Sequence, residues 1–73
     1  MDLQVLIERL KKFRYGRPNL AEIAKMADLT PFTITRIVTG KTKDPAYETV
    51  MRIMWALDKA EEMRKEAETS SAG

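Results

Sequence analysis

The chain has 73 residues, 33% of them charged, a formal net charge of +2, and neither cysteine nor histidine. This composition excludes disulfides, cysteine-based zinc sites and nucleophile–histidine pairs, so we expect a protein that is not an enzyme, with no catalytic residues, metal site or cofactor. No apolar run approaches the roughly 18 residues of a membrane span, and we expect one small domain in a reducing, cytoplasmic compartment.

A first helix is predicted over residues 3–13, directly after Asp2, whose short acidic side chain suits the N-cap position. Apolar residues recur along this helix at helical spacing and form one stripe, which consists of Leu3, Leu6, Ile7, Leu10 and Phe13. Gly16 and Pro18 then interrupt the helical pattern, so the helix is expected to end before them.

Two short helices joined by a sharp turn are predicted next, over residues 20–27 and 31–39. Residues suited to helix ends mark their boundaries: Asn19 with Glu22, Thr30 with Pro31, and Gly40. Apolar residues at helical spacing mark the inner faces of the two helices: Leu20, Ile23, Ala24 and Ala27 in the first, and Ile34, Ile37 and Val38 in the second. Leu29 lies between them, where a tight turn between two crossing helices needs an apolar residue. The small Ala24 and Ala27 permit a close helix crossing. The pattern is that of a helix-turn-helix over residues 20–39, whose second helix can enter the DNA major groove.

A fourth helix is predicted to begin near Pro45 and to continue to about Ala67. Its core face is expected to consist of Tyr47, Val50, Ile53, Met54 and Leu57. Met51 and Trp55 lie about 100° or more away from that face. The thin apolar strip that follows, Ala60, Met63 and Ala67, either extends an interface or faces solvent. A single domain over residues 1–68 and a flexible C-terminal tail over 69–73 are therefore expected.

Residues 20–40, together with Pro45, resemble the DNA-binding domains of the Cro/CI (lambda-repressor-like, XRE-type) family. The matching features are Ala24 at the helix crossing, the turn Asp28-Leu29-Thr30, the inner-face Ile34 and Ile37, Gly40, and the apolar helix after Pro45. Asp28 stands where the family usually has glycine, but aspartate tolerates positive φ better than most residues. The resemblance covers about residues 3–57. It implies an all-α, compact lambda-repressor-like bundle of four to five helices from a phage or bacterial cytoplasm.

The outward face of the second motif helix is where the resemblance places DNA contacts. Contacts with base edges are assigned to Phe32, Thr35 and Arg36. Arg36 can donate two hydrogen bonds to a guanine, and Phe32 can pack against the methyl group of a thymine. Phosphate contacts are assigned to Thr30, Thr33, Thr39, Lys41, Lys43 and Arg17. The alternatives are that Phe32 belongs to the core, that Arg36 is a surface ion-pair partner, and that the two lysines are only solvated.

Positive charge coincides with this motif. Residues 9–43 contain nine basic and two acidic residues, a balance of +7, whereas residues 44–73 have a balance of −3. Such a distribution suits binding to a phosphate backbone. The alternative is an ordinary solvated basic surface.

The resemblance implies a sequence-specific, double-stranded DNA-binding transcriptional regulator, in the simplest case a repressor that occupies a near-palindromic operator as a homodimer. Met51 and Trp55 are the predicted dimer contacts; the alternative is that the first helix or the tail covers them within one chain. Neither a membrane nor a small-molecule ligand is expected as a partner. The alternative function is that of an antitoxin or another protein-interaction module with the same fold.

Overall fold

A computed structural model describes the backbone of residues 2–72 and the side chains of residues 2–67. Within that range all regular secondary structure is helical: α1 (Leu3–Lys11), α2 (Leu20–Met26), α3 (Pro31–Val38) and α4 (Tyr47–Ala72). The structure confirms the predicted all-α fold class. None of the described helices is long and apolar enough to cross a membrane.

The three predicted N-caps all form. The side chain of Asp2 accepts a hydrogen bond from the backbone amide of Gln4 at 3.0 Å, and that of Thr30 accepts from Thr33 N at 3.2 Å. At α2, Asn19 and Glu22 each accept from the other's backbone amide, which completes the predicted capping box. These bonds satisfy amides that the first helical turn cannot pair internally.

The C-terminal ends of α2 and α3 share one geometry. Asp28 and Gly40 have φ angles of 59° and 79°, and each follows the last helical turn. The next amide bonds back to a carbonyl five residues earlier, Leu29 N to Ala24 O and Lys41 N to Arg36 O, both at 2.8 Å. This is the Schellman motif, which needs a left-handed residue. The positive φ expected at Asp28 is thus confirmed.

The core lies where all four helices meet, and α2 packs against both α3 and α4. Its buried members come from every helix and from the turns after α1 and α2: Leu6, Ile7, Leu10, Phe13, Ile23, Ala24, Ala27, Ile34, Ile37, Ile53, Ala56, Leu57 and Ala60. Four of these are alanines, and their small side chains allow close approach of the helix backbones, as expected at Ala24 and Ala27.

The prediction that Tyr47 lies in the core is wrong, because its side chain is 79% exposed. A helical wheel gives the direction of a side chain but not whether another element lies opposite. Tyr47 is the first residue of α4. There it borders an open groove that also contains Leu3, Pro45 and Val50. The core contribution of α4 is instead centred on Ile53, Ala56, Leu57 and Ala60.

Helix α4 continues past the predicted end at Ala67 and reaches Ala72. The expected flexible tail over 69–73 is therefore helical as far as Ala72, and Gly73 lies outside the described residues. No glycine or proline interrupts the sequence between Tyr47 and Ala72, so no backbone signal stops the helix earlier.

Arg64 joins the far part of α4 to the connection between α1 and α2. Its Nη1 donates to Lys12 O at 2.7 Å, and its Nη2 donates to Tyr15 O at 2.6 Å and more weakly to Pro18 O at 3.5 Å. The guanidinium carbon also lies 4.1 Å from the centroid of the Phe13 ring. One side chain therefore fixes a connection that has no regular structure of its own.

We expect Arg64→Met to lower the free energy of unfolding by about 1–3 kcal/mol, because carbonyls that receive hydrogen bonds from a charged group lose them. Urea unfolding followed by circular dichroism measures the change. Arg64→Lys is the matched control: it keeps the charge but not the planar fork, so it should restore only part of the stability. Equal stability of wild type and Arg64→Met would contradict this assignment.

Candidate nucleic-acid interface

The outward face of α3 is exposed as predicted. Ile34 and Ile37 are fully buried and hold the helix against the core, while Thr35 and Arg36 are exposed and Phe32 is 67% exposed. This exposure rules out the alternative that Phe32 is a core aromatic. Because Ile34 and Ile37 pack into the core, the outward face of α3 is held in a fixed orientation.

Arg36 is oriented by two neighbours rather than by an ion pair. Its guanidinium carbon lies 5.5 Å from the centroid of the Phe32 ring, one helical turn earlier, within the range of a cation–π contact. Its Nε donates to the hydroxyl of Thr42 at 3.4 Å. Within residues 2–67 no carboxylate pairs with Arg36, in contrast to the ion-pair alternative. The amino-acid sequence does not predict this contact of Thr42, because it depends on how the turn after α3 folds.

The threonines assigned to phosphate already make hydrogen bonds within the chain. The hydroxyl oxygens of Thr30 and Thr33 lie 3.0 Å apart at the start of α3. The hydroxyl of Thr39 donates to Thr35 O at 2.8 Å. The proton of Thr39 is therefore engaged by its own helix, and a phosphate would have to compete for it.

The predicted phosphate-binding cations differ in their surroundings. Lys41 and Lys43 are exposed in the connection that follows α3, and no carboxylate within the described residues pairs with them. Arg17 is also exposed, but its Nε lies 3.5 Å from a carboxylate oxygen of Glu22. Of these three cations, Arg17 is thus the one that pairs with a carboxylate in the described part of the chain.

Arg9, which contributes to the basic balance of residues 9–43, belongs to the scaffold. Its Nη2 lies 2.9 Å from Asp58 and 3.0 Å from Glu61, and its side chain is only 20% exposed. The hydrogen bond to Asp58 raises the pKa of Arg9 further above its usual range, so its charge persists at all ordinary pH values. These two carboxylates offset the charge of Arg9, and the basic surface is smaller than the sequence count suggests.

Three apolar side chains form an exposed stripe one turn apart on α4: Tyr47, Met51 and Trp55, here called the α4 stripe. Met51 and Trp55 are 49% and 54% exposed, which confirms that they lie outside the core. No segment of the described chain buries them. Beside them, a groove of about 460 Å³ separates α4 from the end of α2 around Met26 and Ala27.

The described chain thus has two separate surfaces: the exposed face of α3 with its cations, and the apolar α4 stripe.

Among the described residues, no group of acidic side chains is arranged to hold a metal ion. No protein-family model matches the chain, and no curated protein or solved structure matches it either.

Proposed function

We propose that this chain is a sequence-specific, double-stranded DNA-binding transcriptional regulator, not an enzyme, that represses by occupying an operator in the cytoplasm. The observation that supports this best is the exposed face of α3, where Phe32, Thr35 and Arg36 stand outward from a helix anchored by buried isoleucines. In helix-turn-helix proteins the major groove is read by such a helix, with donors and apolar groups directed at base edges.

The cations after α3 support the same proposal. Lys41 and Lys43 extend the positive surface from the end of α3 into the next connection. Phosphate contacts of this kind fix the register of a protein on the duplex, while base contacts provide sequence preference. Residues of both kinds lie within one continuous segment of the chain.

We further propose that the chain acts as a homodimer on a near-palindromic operator. The recognition helix, which in this proposal is α3, contacts too few base pairs on its own to select one site among the many competing sites in a genome. Two copies related by a two-fold axis place two recognition helices about 34 Å apart, which is one turn of DNA. The α4 stripe provides an apolar surface for that self-association.

A binding selection on random duplex DNA tests the proposed function directly. The expected result is enrichment of one half-site, repeated as a near-palindrome with the halves one helical turn apart. The double variant Phe32→Ala/Arg36→Ala, which keeps the buried face of α3, is the matched control and should enrich no such site. Failure of the wild-type chain to enrich any sequence would refute the proposal.

We expect Arg36→Ala and Thr35→Ala to relax sequence choice as well as to weaken binding. Removal of a bidentate contact between Arg36 and one base should cost about 1–3 kcal/mol at that base pair. The measurement compares affinity for the selected operator with affinity for scrambled DNA, and Lys41→Ala serves as a control that should weaken binding equally on both. If Arg36→Ala also weakened binding equally on both, Arg36 would contact phosphate rather than a base.

A further inference from the structure

The turn after α3 folds back onto Arg36. Gly40 adopts a φ angle of +79°, a left-handed backbone conformation that glycine reaches without strain because it has no Cβ. The Arg36 carbonyl then accepts hydrogen bonds from the amides of Lys41 at 2.8 Å and Thr42 at 3.1 Å. These bonds bring the half-buried Thr42 beside the Arg36 side chain, where its hydroxyl accepts from Nε.

The Arg36 guanidinium is thereby held on two sides. The Phe32 ring lies against it from the preceding turn of α3, and the Thr42 hydroxyl engages its Nε. Within residues 2–67 no hydrogen bond or ion pair uses Nη1 or Nη2 of Arg36. The two terminal nitrogens therefore remain available as a parallel pair of donors, the arrangement that matches O6 and N7 of guanine.

We propose, on the basis of the function proposed above, that Phe32, Arg36 and Thr42 act as one unit that recognises a guanine beside a thymine on the adjacent base pair. Arg36 donates Nη1 and Nη2 to the guanine, and Phe32 contacts the thymine methyl group. Thr42 is a positioning residue: it contacts no base and restricts Arg36 to the conformation that fits. An arginine that is restricted before binding loses less rotamer freedom on binding, which raises affinity for the matching base.

Modified bases test the two base contacts one atom at a time. In the half-site obtained by selection, replacing the guanine by 7-deazaguanine removes N7, and replacing the thymine by deoxyuridine removes the methyl group. We expect the first change to weaken wild-type binding about 5- to 100-fold. The second should weaken it about fourfold, as for one buried methyl group. The variant Phe32→Ala should no longer distinguish thymine from deoxyuridine.

Two substitutions at Thr42 test the positioning residue. Thr42→Val keeps the shape of the side chain and removes the acceptor, whereas Thr42→Ser keeps the acceptor. We expect Thr42→Val to reduce the preference for guanine over the other bases about two- to tenfold, and Thr42→Ser to retain that preference. Thermal unfolding followed by circular dichroism should show that both variants remain folded, and Thr42→Ala, which also lacks the acceptor, should reproduce the result of Thr42→Val.

Failure of this inference is distinguishable from failure of the proposed function. If selection yields a half-site that tolerates 7-deazaguanine, or if Thr42→Val and Thr42→Ser behave alike, the chain binds DNA but the three-residue unit is wrong. A Thr42→Val variant whose affinity falls equally for all sequences would likewise overturn the positioning role. If no duplex sequence is selected, the proposed function fails and this inference fails with it.

Discussion

The affinity of this chain for duplex DNA should fall steeply as salt concentration rises, with a slope of about −5 to −9 in a plot of log affinity against log salt. The reason is counterion release. If each protomer of a dimer neutralises about three to five phosphates, about six to ten condensed cations leave the DNA on binding, at a slope of about −0.9 per phosphate. Titrations at several salt concentrations measure this slope, and a value near zero would contradict the phosphate-contact assignments.

Single-residue variants separate the cations that contact phosphate from those that do not. Lys41→Ala and Lys43→Ala should weaken binding to all sequences alike, and each removed phosphate contact should make the slope shallower by about one unit. Arg9→Gln is the matched control, because Asp58 and Glu61 already engage that charge. If it changed the slope as much as the lysine variants, the effect would reflect net charge and not position.

Met51→Glu and Trp55→Ala should weaken dimerisation and, through it, operator binding by about 30-fold or more. Burial of an unpaired carboxylate in an interface costs several kcal/mol, and truncation of a central tryptophan commonly costs about 2 kcal/mol or more. Sedimentation equilibrium measures the dimer, and circular dichroism reports whether the monomer keeps its helices. Met63→Glu is the matched control, because Met63 is a comparably exposed methionine of α4, at 47%, outside the α4 stripe.

The outcomes for Trp55→Ala discriminate between structural and assembly roles. A variant that remains helical but becomes monomeric supports the α4 stripe as the dimer contact. A variant that unfolds would show that Trp55 stabilises the monomer, despite its 54% exposure. A folded, dimeric variant would place the interface elsewhere on the molecule.

Features that depend on neighbouring residues could be predicted from the sequence. The capping box of Asn19 and Glu22 spans three positions, and the left-handed turns at Asp28 and Gly40 follow from the ends of short amphipathic helices. The outward direction of Phe32 and Arg36 likewise follows from the helical positions of the buried isoleucines. Local chemistry therefore indicated both the fold class and the exposed face of the candidate interface.

Features that depend on long-range packing could not be predicted. The contacts of Arg9 with Asp58 and of Arg64 with Lys12 join residues 49 and 52 positions apart, and no local pattern marks such pairs. Tyr47 has the helical phase of a core residue, yet no element among the described residues covers its side chain. Thr42 reaches Arg36 only because the chain reverses at Gly40, so its contact requires the three-dimensional course of that turn.

Trp55 is the only tryptophan in the chain, and it lies on the surface. Its fluorescence therefore reports from a single place, with no second indole to obscure the signal. In the isolated protomer we expect the emission of a hydrated indole that iodide can quench, because the side chain is exposed. The Lys59 ammonium lies 5.9 Å from the centroid of the Trp55 ring. Any surface that covers α4 at this point shifts that emission to shorter wavelength and shields it from the quencher, so the protein carries its own optical probe of association.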